Sequence, residues 1–280
     1  MTHNASPDAT TRELPATIAR LLTTRTRSAG HRPLLTCYDD TTGARTELSY
    51  ATLDNWAAKS ANLLADEFDC GPGTIVGFDL DGHWTTTALA LACWKLGAAV
   101  APGAGSAGDA HAVVCCHERH ATRHPSGPVL VVGDGFRAEP LTAVDERDGL
   151  LLLGEHVHGF GDDYDDPAVA ASTPALVGQR GTVTHGAMIA RASAWRRQLG
   201  DGPRVGLAAA LDHERAFDLL AGVIAAGGGL VAVRAQGDPR YAQRWATERV
   251  TAIAGPAGTA PDAAGDGAAL VTFDRVAAPR

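Results

Sequence analysis

One stretch constrains the fold more than any other: residues 74–78 (TIVGF), 84–96 and 98–100 form a short apolar run, a long one and a second short one. The short runs suit strands, and the long run suits a helix buried on most of its surface. A strand–helix–strand unit of this length makes a crossover connection, and such crossovers join parallel strands. A sheet built this way needs helices on both faces.

The same alternation extends along the chain. Residues 14–28 carry Leu14, Ile18, Leu21 and Leu22 on one helical stripe. Residues 33–38 and 45–48 flank a polar turn containing Gly43 and predict a hairpin. Ser49 is placed to cap the next helix, whose Leu53, Trp56, Ala57, Ser60, Ala61 and Leu64 share one face until the Gly71-Pro72-Gly73 break. Further strands are expected at 112–115, 129–132, 150–153, 204–208, 230–234, 250–254 and 270–273, with helices at 186–199, 214–226 and 239–248. Residues 162–167 form an acidic surface loop, and 255–269 a Gly/Ala/Pro-rich one. The fold class is therefore α/β, a mainly parallel sheet flanked by helices. Residues 1–10 are polar and expected to be disordered, and 11–280 are expected to form a single domain. Leu53, Trp56, Leu64, Ile75, Leu89, Leu91 and Trp94 are expected in the core.

Composition limits the partners. A net charge of -8 disfavours nucleic acid and anionic membranes as the main partner. No apolar run reaches the ~20 residues that span a bilayer. Five cysteines, an odd number, with no secretory segment at the N-terminus, point to a cytoplasmic protein without a disulfide framework.

Several pieces, in order, carry a family resemblance. Residues 48–103 open with LSYATLDNW and close with WKLGAAVAPG. Residues 207–213 (LAAALDH), 219–233 (LLAGVIAAGGGLVAV) and 249–255 (RVTAIAG) follow collinearly. Together they are similar to the large N-terminal domain of the adenylate-forming (AMP-binding, acyl-CoA synthetase-like) enzymes. That resemblance implies part of that domain's fold, a histidine, here His213, near an acyl pocket, and a phosphate loop of the form T-S-G-T-T-G-x-P-K-G.

The matching segment here reads Ser172-Thr-Pro-Ala-Leu-Val-Gly-Gln-Arg-Gly-Thr-Val-Thr-His185. With Gly181 on the last glycine, Arg180 takes the lysine position, Pro174 and Val177 replace the other glycines, and Ala175 and Leu176 replace the central threonines. Proline removes an N–H donor, valine disfavours positive φ, and two hydroxyls are gone, so this loop is poorly suited to wrap a triphosphate. The sequence also carries no counterpart of the family's downstream adenine, ribose and magnesium motifs, nor of its C-terminal lid domain with the catalytic lysine. A non-catalytic small-molecule-binding or protein-interaction module follows, with no catalytic residue and no cofactor expected. The alternative is an acyl-adenylate ligase, using ATP and Mg, whose missing elements come from a partner chain. In either case the candidate ligand contacts are Thr173, Gly178, Arg180, Gly181, Thr184 and His213, and the ligand class is a small acyl or nucleotide-like molecule.

Other constellations are weaker. His111, Cys115, Cys116, His117, His120 and His124 are dense in metal-ligand types but do not match a zinc spacing, and strand alternation sends Cys115 and Cys116 to opposite faces. No metal site is expected. Asp212 and His213 are adjacent on an extended segment and are expected to point apart. His185 reads as structural, beside a Thr184 cap, and His156 and His158 share one face of a short strand.

Overall fold

The computed structural model describes residues 13–103, 112–135, 137–235, 240–257 and 268–273. The expected disorder of residues 1–10, His111 and most of the 255–269 loop lie outside the described residues. In chain order the elements are α1 (Ile18–Ala29), β1 (Pro33–Asp39), β2 (Arg45–Ser49), α2 (Tyr50–Phe68), β3 (Ile75–Asp79), α3 (Thr85–Leu96), β4 (Ala99–Pro102), β5 (Val113–His117), β6 (Val129–Val132), β7 (Leu150–Leu152), α4 (Leu153–His156), β8 (Pro174–Gly178), β9 (Gly181–Thr184), α5 (His185–Leu199), β10 (Arg204–Leu207), α6 (Glu214–Ala226), β11 (Gly229–Arg234), α7 (Tyr241–Thr247), β12 (Ala252–Gly255) and β13 (Ala269–Thr272).

The mainly parallel α/β architecture holds, with the strands divided between two sheets. One sheet runs β13-β12-β10-β11-β1-β2 and the other β7-β6-β5-β3-β4-β8-β9. Every pairing is parallel except the two hairpins that end the sheets, β1–β2 and β8–β9. Helices α2 and α6 pack on the first sheet and α3 and α5 on the second, while α2 meets α3 and α5 meets α6. One apolar core therefore runs from sheet to sheet through the helices. All of α3 is buried, as is α6 from its third residue onward, as befits helices covered on both sides. Trp245 of α7 closes the far face of the first sheet with Tyr38, Val231, Val233 and Ile253.

Local signals explain the boundaries. Thr17, rather than a residue before Leu14, caps α1: its hydroxyl accepts from Arg20 N, and the helix starts later than the apolar stripe suggests. Ser49 accepts from Thr52 N at 3.1 Å, as its position predicts. Gly97 ends α3 at φ 75°, a left-handed conformation that disfavours a Cβ. Of the expected core residues, Leu53, Leu64, Leu89, Leu91 and Trp94 are buried, whereas Trp56 and Ile75 are half-buried. His156 and His158 do not lie on a strand: the chain turns helically there, and His158 stacks edge-on against Trp56.

The two lysines have one task. Lys59 Nζ donates to Phe160 O at 2.7 Å and pairs with Asp162. Lys95 lies buried between Asp54 (2.9 Å) and Asp166 (3.7 Å). The acidic loop is thereby pinned across α2 and α3, and a lysine inside the apolar run of α3 becomes intelligible.

Candidate functional site

The segment expected to be a phosphate-type loop is a β-hairpin, which corrects the reading of residues 173–181. Gly178 pairs with Gly181 across a two-residue turn, and Leu176 pairs with Val183 as well as with Val100 of β4. Ala175 and Leu176 are fully buried, and Trp94 Nε1 donates to Ala175 O at 3.0 Å. Aliphatic residues alternating from Pro174 favour this pairing, and Gly181 at φ 101° permits the tight return. At the hairpin's other end His185 N donates to Thr173 O at 2.9 Å, and the Thr184 hydroxyl caps α5 by accepting from Ala187 N. His185 itself is fully buried, and burial drives its pKa down to about 4, so the ring is neutral.

The candidate ligand contacts consequently separate into two groups. Gly178, Arg180 and Gly181 belong to the turn, while Thr184 lies roughly 10 Å and Thr173 roughly 16 Å away along the strands. His213 joins the first group. Its Nδ1 accepts from Arg215 N, which caps α6, and its ring stacks on Phe273. Burial lowers its pKa, and the Arg180 and Arg215 cations add to that against the pull of Glu214. The Glu214 carboxylate rests directly on Gly178: a Cβ there would sit 2.7 Å from Oε2.

A second constellation was seen only in part from the sequence, which weighed His117, His120 and His124 as metal ligands but not their acidic and arginine partners. Parallel strands of one sheet end on the same edge, and here the edges of the two sheets meet: β1 and β11 deliver Asp39 and Arg234, β3 and β5 deliver Asp79 and His117, and Asp134 follows β6. Arg234 Nη1 lies 2.6 Å from Asp134 and 3.2 Å from Asp39, and Nη2 lies 2.7 Å from Asp81. Burial alone would raise the Asp134 carboxyl, but contacts from His117 and Arg234 outweigh it and hold the group well below the usual range. The buried Glu118 carboxylate fixes the loop carrying Asp134 by accepting from Leu141 N and the Thr142 hydroxyl. In the 3-10 turn Glu118–Arg123 and just after it, His120 and His124 both meet Asp79, at 3.0 and 2.9 Å.

Asp81, His117 and Asp134 are close enough to share a cation. Their chemistry is against it. His117 Nδ1 accepts from Arg119 N at 3.2 Å, so in the neutral ring Nε2 carries the proton and faces Asp134 at 2.9 Å. A metal-ligating nitrogen needs the opposite tautomer, and the Arg234 guanidinium already bridges both carboxylates. Cys115 and Cys116 are buried on opposite faces, in different apolar clusters, as alternation predicts. Asp212 and His213 also diverge. The Asp212 carboxylate approaches Gly82 at the edge of this cluster, where burial, with Asp81 and Asp79 adding to it, raises its pKa to about 6.

An open cavity of about 480 Å³ lies over the cluster, lined by Asp81, Arg119, His120, Arg123, Arg234 and Ala235. A smaller one of about 180 Å³ adjoins it, reaching Leu211, Val233 and Tyr241. None of the candidate contacts on the hairpin or His213 lines either cavity. The available signal was a charged or imidazole residue closing four of the apolar runs: Asp39, Asp79, His117 and Arg234.

No family model matches the chain. Among solved structures it is similar to a Brucella canis acyl-CoA synthetase (TM-score 0.74, 15% identity, 87% of this chain and 48% of that one). It is also similar to the N-terminal domain of FACL13 from Mycobacterium tuberculosis (TM-score 0.67, 17% identity, 91% of this chain and 69% of that one). At these identities the likeness is one of fold, and the chain spans about half the length of the acyl-CoA synthetase from Brucella canis. A TIGR03089 family protein of Mycobacterium tuberculosis is 34% identical over 230 residues, covering 79% of this chain and 90% of that protein. With the fold of the acyl-CoA synthetase N-terminal domain, the chain belongs to the TIGR03089 protein family.

Proposed function

We propose that this protein is a non-catalytic module of adenylate-forming fold that binds a small acyl or nucleotide-like molecule or a protein partner, and does so without ATP or magnesium. One observation carries the proposal: a closed hairpin occupies the place of the phosphate loop, its Ala175 and Leu176 are buried, and the Glu214 carboxylate covers Gly178. Adenylation needs preorganised N–H donors and positive charge around a leaving pyrophosphate. Here the backbone is committed to pairing, and the one cation at the turn, Arg180, stands beside the Glu214 carboxylate that covers Gly178.

No described helix is long and apolar enough to cross a membrane. A cytoplasmic location is part of the proposal, supported by five cysteines that are all buried and free of disulfides.

ATP–pyrophosphate exchange with a panel of carboxylic acids and Mg tests the proposal. The full chain is expected to be silent, alone and with candidate partner proteins. Exchange that vanishes in Arg180→Ala would overturn it, and exchange that needs a second chain would identify a ligase completed in trans.

A further inference from the structure

The two cavities over the strand ends share Asp81, Arg234 and Ala235, so they form one groove with two chemically different ends. At the larger end Arg123 is 59% exposed and, among the described residues, makes one ion pair, 3.3 Å to Asp79, while Arg119 is 40% exposed and pairs with Asp81. A guanidinium has five N–H donors, so each keeps donors beyond those pairs. The smaller end is walled by Leu211, Val233 and Tyr241. At the junction Asp81 Oδ1 is a buried acceptor with no hydrogen-bond partner among the described residues.

We propose that this groove is a binding site for a small anionic amphiphile, with a phosphate or carboxylate head at Arg119 and Arg123 and a short apolar tail along Leu211, Val233 and Tyr241. The forked geometry of arginine suits both heads, through paired charge-assisted hydrogen bonds. Cations are disfavoured, because Asp39 and Asp134 are engaged by Arg234, and Asp79 by His120 and His124. The volumes fall in the range of small-molecule sites, which combine apolar walls with a few placed polar groups. The site uses neither the hairpin nor ATP, so it stands or falls separately from the pyrophosphate-exchange result.

Calorimetric titration of the full chain tests it with hexyl phosphate, N-hexanoylglycine, octanoate, inorganic phosphate and hexanol. Hexyl phosphate is expected to bind at least about tenfold more tightly than inorganic phosphate or hexanol, as when one good polar or apolar contact is added. N-hexanoylglycine and octanoate, which carry a carboxylate head, are expected to exceed hexanol. The double variant Arg119→Ala, Arg123→Ala should lose the preference for the charged head, and Ala235→Trp, at the junction, should lose the contribution of the tail. Arg180→Ala, on the hairpin, should bind as the parent does. Circular dichroism verifies that each variant is folded, and Ala210→Glu replaces Ala235→Trp if that variant is not. No binding of any amphiphile at millimolar concentration would overturn the site, as would binding unaffected by the double variant or lost in Arg180→Ala.

Discussion

Two regions at the strand ends invite comparison, the β8–β9 hairpin with the start of α6 and the Arg234 cluster with its groove. The hairpin lies where the family resemblance directs attention, yet its strands are paired, its residues 175 and 176 belong to the core, and Glu214 covers its turn. The groove lies beside a histidine-rich stretch that matched no motif, yet it collects side chains from strands of both sheets beneath an open cavity. A motif's position in the chain and the place where a fold leaves room for a ligand are separate properties. Here they have come apart. The hairpin is held mainly by packing and the groove mainly by charge, so substitutions should distinguish them.

The largest effect is expected at the hairpin's anchor. Trp94 is fully buried, donates to Ala175 O and packs edge-on against Phe217 of α6. Trp94→Ala should cost about 3–5 kcal/mol in denaturant unfolding, from lost apolar transfer plus the cavity left behind. The loss should be insensitive to salt. The next largest loss is expected of Arg234→Met, which takes from Asp39, Asp81 and Asp134 their shared cation. The network is partly buried, and Asp81 and Asp134 keep Arg119 and His117, so the loss should be about 2 kcal/mol, below that for a fully buried pair. Equal stability of Arg234→Met and the parent would show that the cluster is dispensable for folding, and the contrast with the hairpin would fail.

Protonation sharpens the comparison further. The Asp212 carboxyl, raised to about 6 chiefly by burial, holds its proton more tightly in the folded chain than in the unfolded one, where the value is about 3.9. Its contribution to stability is therefore full below about pH 4 and lost as pH rises toward 6. Asp212→Asn cannot titrate, so at pH 7 it should be more stable than the parent by about 3 kcal/mol, with the gap closing as pH falls to 4. Asp134 works in the opposite direction: its lowered pKa contributes stability above the unfolded value, lost as pH falls through the folded one. Unfolding curves of the parent and Asp212→Asn between pH 4 and 7.5 decide the matter, and a gap that does not vary with pH would refute the assignment.

Much of the fold was legible because its signals are local. Apolar runs of strand and helix length located nearly every element, and Ser49 and Thr184 marked two helix starts through the hydroxyls that cap them. Two features were not legible. The division of the strands between two sheets depends on which helices come to lie between them, and one helix's periodicity says nothing of its neighbours. The hairpin was hidden by its own resemblance: the alternation of Pro174, Leu176 and Val183 fits a strand pair, but the spacing of Arg180 and Gly181 drew the reading toward a loop. The groove depends on convergence across sequence separations of 100 residues and more, as between Asp134 or Asp39 and Arg234. The polar residues that close four of the apolar runs, and the histidines from 117 to 124, were its only hints.

The smallest effect separates capping from ligand binding at Thr184. Its side chain was a candidate ligand contact, and in the structure the hydroxyl accepts from Ala187 N at 3.2 Å at the start of α5. A cap satisfies one of the free N–H groups in a helix's first turn, and replacing threonine by alanine costs about 1 kcal/mol. Thr184→Ala should show that loss, while Thr184→Ser, which keeps the hydroxyl, should stay close to the parent. Neither substitution should alter the affinity for hexyl phosphate, because Thr184 lines neither cavity of the groove. A drop in affinity well beyond what the loss of stability explains would place the ligand at the hairpin after all. In that event the region marked by family resemblance, and not the one marked by open volume, would be where this protein binds.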